Sequence, residues 1–115
     1  MMSKKFQNQR YQTCIDICND CLEACEACAT ECLREQDVKA MTKCIQLCRE
    51  CAEICATSSK LMSMDSDYIK QVCSLCADIC DTCSQECEKH QQMEHCKLCA
   101  QACKRCAEEC HKMVG

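Results

Sequence analysis

A sequence of 115 residues with no proline and its only glycine at the last position predicts an all-α fold, and the spacing of its twenty cysteines predicts which one. Gly and Pro are the strongest helix breakers, so their near absence leaves little to interrupt long helices. The cysteines fall into four blocks, and all sixteen intervals within blocks are 3 or 4 in strict alternation. That is the a/d spacing of a heptad, which keeps each block on one stripe of one helix. Four such helices joined by short connections are antiparallel neighbours. The expected architecture is an antiparallel up-down-up-down four-helix bundle with a Cys-lined core, one domain over residues 1-115.

The first helix is expected over 5-35 and carries Cys14, Cys18, Cys21, Cys25, Cys28 and Cys32 in CIDICNDCLEACEACATEC. This block alone spans 19 residues, and its 18 steps cover about 27 Å of helix at 1.5 Å per residue. Asp37 before VKAM is a good N-cap for a second helix over 38-60, which holds Cys44, Cys48, Cys51 and Cys55. A turn-like region from Thr57 to Ser66 follows. Asp65 or Ser66 is then the candidate N-cap of a third helix over 66-89, with Cys73, Cys76, Cys80, Cys83 and Cys87. The junction EKHQQMEHC has no Gly or Pro, and a break there is inferred from the interval of nine between Cys87 and Cys96. The fourth helix, over 93-113, carries Cys96, Cys99, Cys103, Cys106 and Cys110.

With cysteine at a and d, the e and g positions hold Ile15, Ile17, Leu22, Ile45, Leu47, Ile54, Val72 and Ile79, with Ala24, Ala100, Ala102 and Ala107. These flank the thiol stripe and close helix against helix, as a wide apolar face requires. Charged and amide side chains fill most of b, c and f. Other large core residues are scarce: there is no Trp, one Phe and two Tyr.

The polar segment MMSKKFQNQRYQTC lacks the roughly 7 to 15 residue apolar stretch of a secretory signal, and no run approaches the 18 or so apolar residues of a membrane span. A cytoplasmic protein with no membrane partner is expected, in a compartment that keeps thiols reduced. A formal charge of -4 with both signs interspersed argues against nucleic acid as a partner.

Cysteine can serve as a small buried hydrophobe. Ala or Leu would pack as well without the oxidation hazard, and that role does not confine all twenty to one stripe per helix. Disulfides within a block are disfavoured: residues at i, i+3 and i, i+4 have Cβ atoms about 5 to 6 Å apart, whereas a disulfide needs about 3.8 Å. A thioredoxin-like use of the C-x-x-C pairs is weak, because such motifs work at a helix N-terminus and these recur in mid-helix. No constellation of paired carboxylates, or of one Cys with one His, suggests an enzyme.

Metal binding remains, and soft thiolates select Cu(I), Zn(II) or iron-sulfur clusters. Charge discriminates among them. Five Zn(II) in tetrathiolate sites would leave about ten negative charges in a dry core, which is costly. Cu(I) ions that share bridging thiolates approach one ion per cysteine and a nearly neutral core. Iron-sulfur clusters need discrete four-cysteine pockets, and a uniform ladder shows no such partition. The expected ligands are all twenty cysteines and the expected cargo is multiple Cu(I) ions, with a zinc-thiolate buffer or a thiol-based redox protein as alternatives.

The blocks CIDICNDCLEACEACATEC, CIQLCRECAEIC, VCSLCADICDTCSQECEKH and EHCKLCAQACKRCAEEC resemble the cytosolic copper storage proteins, over nearly the whole chain from about Tyr11 to Met113. The resemblance implies a bundle holding many Cu(I) ions along its axis and assembly into homotetramers. Relatives often carry Asn or Asp at the position of Cys48, so this sequence has an extra thiol there.

Antiparallel packing gathers His90, His95, Met41 and Met93 at one end, beside Cys32, Cys44, Cys87 and Cys96. Imidazole and thioether are acceptable Cu(I) ligands, weaker than thiolate and suited to loading. The resemblance agrees, since it implies that His90 and His95 in KHQQMEHC line the way in. At the other end Met62, Met64, Tyr68, His111 and Met113, with Phe6, Tyr11 and Leu61, read as a plug.

Overall fold

The computed structural model describes residues 10–114, which form four α-helices: α1 (Gln12–Cys32), α2 (Thr42–Ser63), α3 (Ile69–Glu88) and α4 (Glu94–Val114). A 3-10 turn, Val38–Met41, leads into α2. Each helix packs on its neighbour in the chain, and α1 also packs on α4, closing the bundle. Sulfur pairs give the directions. Cys14 meets Cys110 and Cys28 meets Cys96, so α1 and α4 are antiparallel. Cys44 meets Cys87 and Cys55 meets Cys76, so α2 and α3 are antiparallel. Across the diagonal, Cys48, Cys51 and Cys55 of α2 meet Cys99, Cys103 and Cys106 of α4 in the same order. Parallel diagonals are what an up-down-up-down bundle requires. No helix among the described residues is long and apolar enough to cross a membrane.

All twenty cysteines are buried, none more than 1 % exposed. Ile15, Val72, Ala100 and Ala107 are buried beside them, and Ile17, Leu22, Ile45, Leu47, Ile54 and Ile79 are half-buried against the same cluster. The expected division of labour holds: sulfur fills the axis and aliphatic side chains close the seams. Ile69, Ala29, Ala52 and Ala77 join that closure. Ser84 Oγ donates to the Ala100 carbonyl at 3.2 Å, tying α3 to α4.

Several boundaries differ from expectation for local reasons. The expected start of the first helix at residue 5, and Phe6 with it, lie outside the described residues. α1 ends at Cys32 because the next amides tighten to i−3 carbonyls: Arg34 N–H donates to Glu31 at 3.0 Å and Glu35 N–H to Cys32 at 3.2 Å. Asp37 does cap the next segment, accepting from Ala40 N–H at 3.3 Å, but its first turn is 3-10. Helix α2 continues to Ser63, through residues expected to turn. The Thr57 and Ser63 hydroxyls donate to the carbonyls four residues back, at 3.1 and 2.8 Å, so they need no loop geometry to be satisfied.

Asp65 is not an N-cap. It has φ of 54° and sits just past the end of α2, where Ser66 N–H reaches the Leu61 carbonyl at 3.0 Å and Asp65 N–H the Met62 carbonyl at 3.1 Å. This is a Schellman ending with a non-glycine in the left-handed position. Ser66 instead accepts from Tyr68 N–H at 3.1 Å, and α3 starts three residues later than expected, at Ile69. The break between Cys87 and Cys96 is real, covering Lys89 to Met93.

Asp65→Gly removes the left-handed penalty at an exposed site. It is expected to raise the stability of the metal-free protein by about 0.5–1 kcal/mol, read as a higher midpoint in thermal melting followed by circular dichroism.

Candidate metal centre

The four inward stripes bring the cysteines into one continuous column. The shortest contact is Cys51 to Cys80 at 3.4 Å, and from there sulfurs continue at 3.6 to 4.0 Å toward both ends. Some links lie along one helix, such as Cys21 to Cys25 at 4.0 Å and Cys76 to Cys80 at 3.8 Å. Most cross between helices, such as Cys18 to Cys106 at 3.6 Å and Cys25 to Cys99 at 3.7 Å. All twenty are free thiols.

Several sets of four have their sulfurs within 4.8 Å of one another, and the sets overlap. Cys21 and Cys106 belong with Cys55 and Cys80, but Cys106 also belongs with Cys18, Cys76 and Cys110. Cys25 and Cys103 likewise sit in two sets, one with Cys21 and Cys51 and one with Cys83 and Cys99. A tetrahedral ion with metal–sulfur bonds near 2.3 Å would fit any one such set. Overlap means that the sets cannot all be filled as separate tetrathiolate sites. Sulfurs that belong to two sets are placed to bridge two ions.

Burial works against ionisation at both ends and the middle of the column. At Cys32 burial is the largest influence and pushes the thiol up. Cys96 is pushed up to about 11 by burial and then by Cys44. Along the column S–H···S hydrogen bonds shift neighbouring thiols in opposite directions. Cys25 is raised by Cys103 and Cys21, while Cys21 is lowered by Cys103 and Cys106. Cys106 is lowered to about 7 by Cys110 and Cys18.

At the His end, His95 and the thiols come together as expected. Its Nδ1 lies 3.5 Å from Cys28 Sγ, 3.5 Å from Cys96 Sγ and 4.0 Å from Cys32 Sγ, beside the set Cys28, Cys32, Cys44 and Cys96. Its Nε2 is 2.9 Å from Glu35 Oε2. Sequence reasoning missed Glu35, whose only signal was an acidic residue in the connection at the His end. A carboxylate on one ring nitrogen fixes the tautomer and turns the other nitrogen toward the metal position.

His90 is at the same end but its Nε2 faces Glu86 at 3.2 Å, a buried carboxylate that also pairs with Lys89 at 3.3 Å. Met41 is fully buried and Met93 half-buried against the core. At the opposite end Met62 is fully buried, and Tyr11, Leu61 and Met113 pack half-buried around the cluster, forming the expected plug. Met64 and Tyr68 are exposed and take no part in it, and His111 turns outward to Asp81 at 3.3 Å. Cys48 is fully wired in, 3.7 Å from Cys99 and 3.9 Å from both Cys83 and Cys87. A surface groove of about 660 Å³ beside α1 and α2, lined by residues such as Leu22, Glu26, Arg49 and Glu53, carries none of the column's donors.

Two outcomes follow from this geometry. Glu35→Ala, which frees the His95 ring, is expected to slow copper uptake about tenfold in stopped-flow mixing, with the final copper content unchanged. The metal-free bundle should lose stability as pH rises through the window from 9.0 to about 11. There the folded state keeps a proton on Cys96 that the unfolded chain gives up, so unfolding is favoured. Denaturant melts at stepped pH values under reducing conditions check this.

The match to known proteins covers the same elements. Residues 7–115 match the family model for copper storage proteins, Csp. The uncharacterized cysteine-rich protein YhjQ of Bacillus subtilis is 49% identical over 82 residues, 71% of this chain and 76% of that protein. The Cu(I)-bound copper storage protein BsCsp3 superposes with a TM-score of 0.87 at 48% identity, covering 91% of this chain and 98% of that one. A cytosolic copper storage protein from Streptomyces lividans, solved with five coppers, gives a TM-score of 0.84 at 38% identity over 88% of each chain. A thiol column in a four-helix bundle, matched by that family model over nearly its whole length, places this chain in the copper storage protein family.

Proposed function

We propose that the protein is a cytosolic store for Cu(I), holding about one ion per cysteine through the thiolates of the column. The overlap of the four-sulfur sets carries this reading, because shared sulfurs suit ions of low charge and low coordination number that bridge from layer to layer. The cytosolic placement draws on the relative from Streptomyces lividans.

Copper enters at the His end. His95 Nδ1 with Cys28, Cys32 and Cys96 takes the first ion, Glu35 holds the ring in place, and Met41 and Met93 provide thioethers beside it. His90 joins once its ring leaves Glu86. Ions then move inward by ligand exchange, each step needing only a third sulfur within reach. Sulfur contacts at 3.4 to 4.0 Å link the layers from Cys28 and Cys96 to Cys14 and Cys110. Nothing in this sequence of steps is catalysis. The chain works as a tetramer, a reading that rests on the family and is supported by the half-exposed Leu75 and Leu98 on its outer surface.

Titration of the reduced protein with Cu(I) against a competing chelator is expected to saturate near twenty ions, with release of close to one proton per thiol and an affinity that weakens toward acid. Saturation below about ten ions, or native mass spectra showing a few tightly held Zn(II) after copper-free expression, would overturn the bridged ladder.

A further inference from the structure

Past Cys55 the inward stripe of α2 keeps its alternation of 3 and 4, to Ser58 and Met62, and both are fully buried. The register fixes what faces Ser58. Cys55 lies 3.9 Å from Cys76 on antiparallel α3 and 3.7 Å from Cys106 on α4, which runs parallel to α2 across the diagonal. One step further along, α3 presents Cys73, α4 presents Cys110, and antiparallel α1 presents Cys14, whose sulfur is 3.9 Å from that of Cys110. Three corners of this last layer are thiols, and the fourth is a hydroxyl.

Among the described residues, Ser58 Oγ is the one buried side-chain nitrogen or oxygen with no hydrogen-bond partner. Thr57 and Ser63 on the same helix donate to carbonyls four residues back, and Ser58 does not. An orphan hydroxyl in a dry core costs stability that alanine would not. Its neighbours explain its presence. A neutral thiol sulfur is a weak acceptor, whereas a thiolate is charged and accepts a much stronger bond. When Cu(I) replaces the thiol protons, which leave to solvent, charged acceptors form in the layer that this unpartnered donor completes.

We propose that Ser58 closes the copper column: its hydroxyl donates to thiolate sulfur in the terminal layer of Cys14, Cys73 and Cys110 once that layer is loaded. The inference rests on the cysteines being the copper ligands. Ser58 is a positioning residue and not itself a ligand, since a hydroxyl oxygen is too hard a donor for Cu(I). The layer it completes is the one farthest from His95, against the plug of Met62, Leu61, Tyr11 and Met113.

The test compares the full-length reduced protein with Ser58→Ala and Ser58→Cys, using thermal melting without metal, Cu(I) titration, and timed removal of copper by excess chelator. For Ser58→Ala the metal-free melting midpoint should rise. A minor fraction of bound copper, about three ions of the last layer, should leave roughly tenfold faster, the size of effect expected when a bond to a charged acceptor is lost. Ser58→Cys should bind about one more ion than the unmodified protein. Opposite signs in the metal-free and loaded states are what a merely structural serine would not give. A Ser58→Ala protein that is less stable without metal, or whose release profile matches the unmodified protein, overturns the proposal. Failure of the unmodified protein to load would instead overturn the assignment of the cysteines as ligands.

Discussion

The constraint behind the whole structure is that twenty sulfur atoms share one dry axis and cannot all carry charge there alone. Burial works against charge on each of these thiols, which lie in a network of S–H···S contacts. Such a core is thin. Cysteine has two fewer side-chain heavy atoms than leucine to bury, a sacrifice on the order of 1.5 kcal/mol per position at about 0.8 kcal/mol per methylene. The flanking Ile, Leu, Val and Ala therefore close the seams between helices. Cargo that binds the folded column and not the open chain adds its binding free energy to folding, so filling the store also consolidates the bundle.

The same constraint makes the two ends unlike. At the His end, carboxylates meet the polar side chains: Glu35 meets His95, and the buried Glu86 meets His90 and Lys89. Each imidazole is tied to a carboxylate, and only His95 also presents a ring nitrogen to sulfur. At the far end the column stops against Met62 and its half-buried neighbours, with no described carboxylate or histidine turned inward. Met41 and Met62, the largest fully buried side chains, continue the α2 stripe beyond the thiols in opposite directions. A thioether terminates the row at each end of α2, but only one of those ends is built around an imidazole. That asymmetry gives the column a direction.

The parts of this arrangement carried by a local period were legible in the sequence. The 3 and 4 alternation placed all twenty cysteines on the inner face and located the break between Cys87 and Cys96 without any Gly or Pro to mark it. Composition misled where the period was ignored. TSSK looks like loop, yet its Ser and Thr sit on a helix, two neighbouring hydroxyls returning to i−4 carbonyls and Ser58 continuing the stripe itself. Residue type alone makes Asp65 a cap for the helix that follows, whereas the chain reversal there demands a left-handed residue closing the helix before it. Glu35 could not have been found this way at all. It is sixty positions from His95, and only the bundle's closure brings them together.

Sulfur sharing bears on release as much as on capacity. An ion in an isolated tetrathiolate site has to break several bonds before any new one can form, because no fifth donor is near. In the column Cys21, Cys25, Cys103 and Cys106 each belong to two sets, with sulfur contacts at 3.4 to 4.0 Å, so a bond to the next sulfur can form as the last one breaks. Cys48 strengthens that continuity on α2, linking Cys83 and Cys87 on one side with Cys99 on the other; an oxygen donor there would be a harder, less compatible step for Cu(I). Tight overall retention and easy movement within the column are then compatible, because the first depends on the number of soft ligands and the second on their spacing. At the His end the thiol row meets a single imidazole, held by Glu35 on one ring nitrogen and facing sulfur with the other, so the soft-ligand spacing that eases movement along the column ends there.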